Sequence, residues 1–363
     1  MTRLHDLFDE QGQSPWLDNL RRGWITSGEL QEWVDKGVRG LTSNPSIFEK
    51  AIGGSDDYDE QFGELVRAGT GIEDSYWELV TSDIEAALAI LRPVYDASDG
   101  LDGYVSVEVD PGLARDTDGT MAAARQLWDD IDEPNLYVKI PGTAEGLPAI
   151  QQMIAERRNI NVTLLFSLDR YAEVMEAYIA GLEAADGDVS RVSSVASFFI
   201  SRTETAVDSR LDAIGSPEAE ALKGRTAVAQ GQLAYELFLE KFSGPRWEAL
   251  AARGARPQRP LWASTSTKNP SYPDTLYVDT LIGPETVNTL PDATLEAFLD
   301  HGTVARTVDA DFGAAQAVLD AVTAIGVDLD EVAAVLEAEG VASFEKSFDD
   351  LLDTLTGKAD QLK

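Results

Sequence analysis

Short apolar runs alternate with amphipathic segments along most of the chain. "GYVSVEVDP" (103–111) leads into "MAAARQLWDDID", "NLYVKIPGT" (135–143) into "GLPAIQQMIAERR", and "NINVTLLFS" (159–167) into "LDRYAEVMEAYIAGLEAA". "SSVASFFISRTET" (193–205) precedes a helical region reaching residue 243, and "RPLWASTSTKNP" (259–270) and "ETVNTLP" (285–291) follow it. Upstream, "SPWLDNL" (14–20) and "GVRGLTSNPSIF" (37–48) read the same way, which makes eight predicted strands. Strands separated by helices imply a parallel sheet. Eight such units in 363 residues fit a (β/α)8 barrel with additional helices, ahead of an open doubly wound sheet. Residues 50–100 read as helical and are long for one crossover. The tail from about residue 328 to 363 reads as a C-terminal helical extension packed outside the barrel. No Pro/Ser-rich linker or fixed-length repeat interrupts the chain, so residues 1–363 are expected to form one barrel domain.

Within strands, side chains alternate between two faces. Val105, Val107 and Val109 share one face; Ser106, Glu108 and Asp110 share the other. Leu136, Val138 and Ile140 oppose Tyr137 and Lys139; Ile160, Val162 and Leu164 oppose Asn161 and Thr163; Phe198 and Ile200 oppose Ser197, Phe199 and Ser201. The apolar sets can pack on helices, which turns the polar sets into the barrel, where such enzymes keep their sites at the carboxyl ends of the strands. Antiparallel strands with one wet face alternate in the same way, but the intervening helices argue against them.

Lys139 is the informative member of this set. An ammonium group is rarely buried unless it is paired or used. Desolvation favours the neutral amine, and a neutral amine adds to a carbonyl to form a Schiff base, an electron sink beside a breakable C–C bond. Such chemistry needs a carboxylate to move substrate protons; Glu108 and Asp18 are the candidates. A structural Lys139–Glu108 ion pair is the alternative. Asp18, a lone acid after a very short apolar run in "SPWLDNLRR", reads on its own residues first as a helix N-cap.

Composition narrows the chemistry. The chain has no cysteine and two histidines, His5 and His301, which argues against thiolate chemistry, a histidine triad or a multi-histidine metal centre. Neither a GxxxxGK[ST] loop nor a credible GxGxxG follows a strand. No metal or cofactor is expected. A net charge of -35 disfavours nucleic acid and anionic lipid as partners. No apolar run approaches a membrane span and the first residues lack a signal-peptide pattern, so a cytoplasmic setting is expected. Monomer and homodimer stay open.

The segments "GLTSNPSIF", "VSVEVDP", "NLYVKIPGT", "INVTLLFS", "SFFISR" and "WASTSTKNP", in that order, resemble transaldolase in its longer bacterial form. The resemblance spans residues 14–291. It implies transfer of a dihydroxyacetone unit from sedoheptulose 7-phosphate or fructose 6-phosphate to glyceraldehyde 3-phosphate or erythrose 4-phosphate, in the non-oxidative pentose phosphate pathway. It implies Lys139 as the Schiff-base lysine, Asp18 as acid/base at bond cleavage, and Glu108 with Thr163 as holders of the water used in carbinolamine dehydration. Asn44 and Asn161 are similar to residues that grip the dihydroxyacetone hydroxyls, with Ser201 beside them. For the phosphate, Arg202 and Lys268, flanked by Ser266, are the expected cations and Arg210 is third. Lysine in place of arginine keeps the charge but gives up bidentate geometry.

Other readings are a fructose 6-phosphate aldolase, a bifunctional fusion with a sugar-phosphate isomerase, a metal-dependent aldolase and a non-catalytic sugar-phosphate-binding barrel. Aldolase relatives are shorter and lack the glutamate at the position of Glu108. A fusion needs a second domain for which the tail leaves no room. Histidine poverty opposes the metal enzyme, and retention of Lys139, Asp18 and Glu108 opposes a dead barrel.

Overall fold

Each of the eight apolar runs contributes one strand: β1 Gln13–Leu17, β2 Leu41–Thr42, β3 Val105–Glu108, β4 Leu136–Pro141, β5 Ile160–Leu165, β6 Ser194–Phe199, β7 Arg259–Ala263 and β8 Thr286–Leu290. All pairings are parallel, and β8 returns to β1, so the sheet closes in the order β1 to β8. The computed structural model describes residues 1–362. Helices follow the strands as the pattern predicts, and residues 50–100 fold mostly as three helices, Pro45–Gly53, Asp59–Ala68 and Ile72–Ala97.

The alternation sorts the strand side chains into two cores. Val105, Val107, Leu136, Val138, Ile140, Ile160, Val162, Phe198 and Trp262 pack outward with the helices. Trp16, Tyr137, Val195, Leu261 and Val287 point inward and fill the barrel. Tyr104 stacks on Tyr137 at 4.2 Å between ring centres, and Trp16 leans on Tyr137 at 6.0 Å. At the base, buried Asp102 accepts from Ser14 Oγ, Trp16 Nε1, Arg39 and Arg259. Two guanidinium partners hold its carboxyl below the usual range despite full burial. This plug fills the base of the barrel, and the cavity lies at the carboxyl ends of the strands.

Three details differ from the expected pattern. The strand register slips between Val162 and Leu165, and Leu164 takes φ 61°. Leu165, not Leu164, therefore occupies the outward position, while Leu164 joins the inner cluster with Phe166 and Phe199. A β-bulge of this kind re-aims side chains near functional sites. Next, β6 ends at Phe199 and a helix begins at Ser201, so the strand alternation does not carry as far as Ser201.

The third concerns the tail. It is helical, as expected, over Leu329–Leu362, but it does not lie merely outside. It packs on the Pro45–Gly53 helix after β2, the Pro111–Leu113 turn after β3, the end of β5 and the Ser201–Ile214 helix after β6. All four lie at carboxyl ends of strands, so this helix crosses the mouth of the barrel.

Candidate active site

Strand register brings the amine and one carboxylate together. Glu108 on β3 is the lateral neighbour of Lys139 on β4, which in turn neighbours Asn161 on β5. Lys139 Nζ lies 3.3 Å from Glu108 Oε2 and donates to the Ser43 carbonyl at 3.1 Å. Both side chains are buried, at 6% and 2% exposure, yet Lys139 faces a cavity of about 110 Å³ at the mouth. Among the described residues the Glu108 oxygens accept no well-aligned hydrogen bond, and Thr163 Oγ1, also buried, meets no hydrogen-bond partner. These are acceptors and a donor left for something small and polar, as carbinolamine water would be.

Asp18 follows the end of β1 and faces the same cavity. The helix that follows begins at Arg22 with Arg21 at its N-cap position, so Asp18 is not a cap. Its Oδ1 accepts from Thr42 Oγ1 at 2.7 Å, and Thr42 Oγ1 is 2.6 Å from Thr289 Oγ1. Because Thr42 spends its proton on Asp18, Thr289 donates in turn, giving a chain Thr289→Thr42→Asp18. Desolvation raises the Asp18 carboxyl above the ordinary range, against the pull of Lys139 and the Thr42 bond. Desolvation likewise raises Glu108, opposed chiefly by Lys139.

The remaining predicted residues divide. Asn44 lines the cavity and caps the Pro45–Gly53 helix, its side chain accepting from Ile47 N at 3.0 Å. Asn161 donates to Ser106 Oγ at 3.0 Å and accepts from Ser197 Oγ at 2.7 Å, so Ser197 stands between it and the cavity. Arg202, Ser266 and Lys268 line the rim, with Lys268 Nζ donating to Ser266 Oγ at 2.6 Å. Desolvation lowers both cations, and each also feels Asp18; for Lys268 the Arg202 charge lowers it further.

Two of the expected residues lie outside the cavity lining. Ser201 is not among the residues lining the cavity; it bonds Ser264 Oγ at 2.9 Å, because the chain has already turned into a helix. Arg210 is two turns further along that helix, bound to Glu331 at 2.7 Å, and does not reach the cavity lining.

A cavity that holds this amine, the Asp18 carboxyl and two rim cations, with Glu108 behind the amine, has relatives. The transaldolase/fructose-6-phosphate aldolase family model matches residues 15–355. The chain belongs to that family. It is 54% identical over 349 residues to a transaldolase of Parafrankia sp. (strain EAN1pec), covering 95% of each chain. A transaldolase of Thermobifida fusca is 52% identical, with 95% of each chain covered. A transaldolase of Saccharopolyspora erythraea is 50% identical over 363 residues, covering 99% of this chain and 98% of the relative.

In this enzyme family's barrel the cavity also takes Thr42, Ser197, Phe199, Ser264, Thr289 and Phe344 from this chain. Ser197 is inward by the alternation of β6, with no role implied by the resemblance. The same alternation, applied to "TVNTL", turns Val287 and Thr289 inward. Phe344, on the C-terminal helix, carries no local signal at all.

Proposed function

We propose that the chain is a transaldolase that moves a dihydroxyacetone unit between sugar phosphates, with Lys139 as its Schiff-base amine. The observation that carries this reading is one cavity holding Lys139 and Asp18, with Glu108 against the amine and Arg202 and Lys268 at the rim. Full-length likeness to relatives named transaldolase supports it.

The Lys139 amine adds to the C2 carbonyl of the ketose, forming a C–N bond and a carbinolamine. Glu108, with Thr163, serves the proton that lets the hydroxyl leave as water. In the resulting iminium, Asp18 takes the proton of the C4 hydroxyl. The C3–C4 bond breaks, its electron pair enters the enamine, and the aldose phosphate departs. The acceptor aldehyde then bonds to C3, Asp18 returns the proton to its oxygen, and water releases the new ketose. Asn44 and Ser197 hold the dihydroxyacetone hydroxyls, with Asn161 acting on them through its hydrogen bond from Ser197, and the rim cations hold the phosphate in charge-assisted contacts. Arg202 and Lys268, with Ser266, are the proposed phosphate site; Ser201 and Arg210 support their surroundings. No cofactor is needed. Residues 1–363 act as one barrel domain with the tail as its extension, in a cytoplasmic setting. Among the described residues no helix is long and apolar enough to cross a membrane.

The test is borohydride trapping with fructose 6-phosphate, followed by peptide mapping. One three-carbon adduct on the "VKIPGT" peptide is expected, and none in Lys139→Ala. An adduct elsewhere, or free dihydroxyacetone as the main product without transfer to an acceptor, sinks the reading; the second outcome would make the enzyme an aldolase.

A further inference from the structure

The Arg202 guanidinium is half-buried and, among the described residues, makes no hydrogen bond or ion pair. That is unexpected in a chain with 64 acidic and 29 basic side chains. What it has instead is two ring faces. Its Cζ lies 5.3 Å from the Phe199 ring centre and 5.9 Å from that of Phe344. Phe199 comes from β6, three residues before Arg202. Phe344 comes from the helix that crosses the mouth, and it is 3% exposed.

The C-terminal helix is fixed over this point by a stripe spaced three and four residues apart. Glu337 pairs with Arg115 at 2.9 Å. At Gly340 an added Cβ would come within 2.9 Å of Leu164 Cδ2 and 3.7 Å of Arg202 Nη1, so the missing side chain lets the helix approach. Ser347 Oγ lies 2.7 Å from Ser46 Oγ on the helix after β2. Phe344 sits between these anchors. An aromatic face attracts a guanidinium without consuming any of its five donors. A carboxylate in that place would neutralise the cation and occupy the fork that an anion needs.

We infer that Phe344 is a positioning residue for the phosphate: with Phe199 it clamps the Arg202 guanidinium, keeps its donors unspent and aims them at the cavity. This rests on the reading of Arg202 as a phosphate-binding cation. The specificity for phosphorylated sugars is then set partly by the C-terminal helix, whose contact with the guanidinium is the uncharged Phe344 ring while the charge of Glu339 on the same helix favours the cation.

Calorimetric binding of inorganic phosphate tests it, using the full-length enzyme and its Phe344→Tyr, Phe344→Leu and Phe344→Met variants. Tyrosine keeps the ring and should hold affinity near the parent's. Leucine and methionine keep apolar bulk but lose the π face, and each should weaken phosphate binding by about 3- to 30-fold. KM for fructose 6-phosphate should rise in step, while borohydride trapping at saturating sugar should continue on Lys139. In an Arg202→Met background, Phe344→Leu should change phosphate affinity no further. Phosphate affinity within twofold of the parent in both Leu and Met variants overturns the inference, as does an undiminished effect in the Arg202→Met background. Loss of affinity in the tyrosine variant equal to that in leucine also overturns it. If the leucine variant does not fold, methionine and the double-variant comparison still decide. Failure of the functional reading itself shows separately, as absence of trapping in the parent.

Discussion

Asp18, part-exposed in the cavity, and Glu108, buried against the amine, are two carboxyls that both act on Lys139, and their surroundings give them different work. Glu108 touches the nitrogen at 3.3 Å and has no aligned donor, so its reach is to the carbinolamine. Asp18 is held by a hydroxyl chain and faces the cavity where a C4 hydroxyl would lie. Asp18→Asn is expected still to trap sugar on Lys139, now as the uncleaved six-carbon adduct, but to cut transfer by about 10²–10⁴-fold; Glu108→Gln should slow formation of any adduct. Rapid-mix trapping distinguishes them, and equal trapping rates in the two variants would contradict the division. The pH profile carries a sign. Asp18 must be ionised to take the C4 proton, and burial raises its carboxyl, so the acid limb of kcat/KM should lie above the ordinary aspartate value. The Thr42 bond favours the ionised form, so Thr42→Val should move that limb to higher pH and Thr42→Ser should restore it. A limb that stays put in Thr42→Val would mean another group sets it.

Among the elements, the Pro45–Gly53 helix shows how one residue can serve structure and site together. Asn44 supplies its N-cap, with Pro45 at the first helical position, a favourable start because proline's missing N–H would be unpaired there anyway. Asn44→Ala should lose about 0.5–2 kcal/mol of stability along with activity. Asn44→Asp keeps a good capping acceptor at a positively polarised helix end but adds a negative charge to a cavity already holding Asp18. It should melt near the parent temperature and fail to turn over. Thermal melts and assays side by side check this; an active Asp variant would remove Asn44 from substrate contact. The bulge in β5 is a second such element: it places Leu164 against Gly340 of the C-terminal helix directly after Thr163, so the register slip joins the site to the tail.

Across the whole molecule, a charge of -35 works against both folding and substrate capture. Like charges repel in the compact state, and salt shortens that repulsion, from a Debye length of about 10 Å at 0.1 M to about 3 Å at 1 M. The melting temperature should therefore rise from low salt to about 0.5 M sodium chloride. Sulfate should act in two directions: stabilising, yet raising KM for sugar phosphates by competing at Arg202 and Lys268. Calorimetric melts and initial rates in the two salts test both. A melting temperature that falls with chloride would show that attractive surface pairs, such as Arg246 with Glu176 and Glu183, outweigh the net repulsion.

Sequence alone determined the strands and the facing of most of their side chains, because a period of two is written residue by residue and closure of a parallel barrel follows from the strand–helix alternation. Lys139, Glu108, Asn161 and Thr163 were inward on that ground. Asp18 was not legible that way: it lies just past the end of β1, and its place in the cavity follows from closure of the barrel. Local periodicity cannot say where a strand stops. That is why Ser201 leaves the inner face and why Leu165 takes the outward place expected of Leu164. Nor can it say which distant segment covers an opening. Only the tertiary structure decided that Arg210 pairs with Glu331, that Thr289 and Thr42 form one chain to Asp18, and that a helix about 140 residues beyond Arg202 lays Phe344 over its guanidinium. Those contacts depend on packing between elements far apart in the chain, and no stretch of either element alone encodes the other's position.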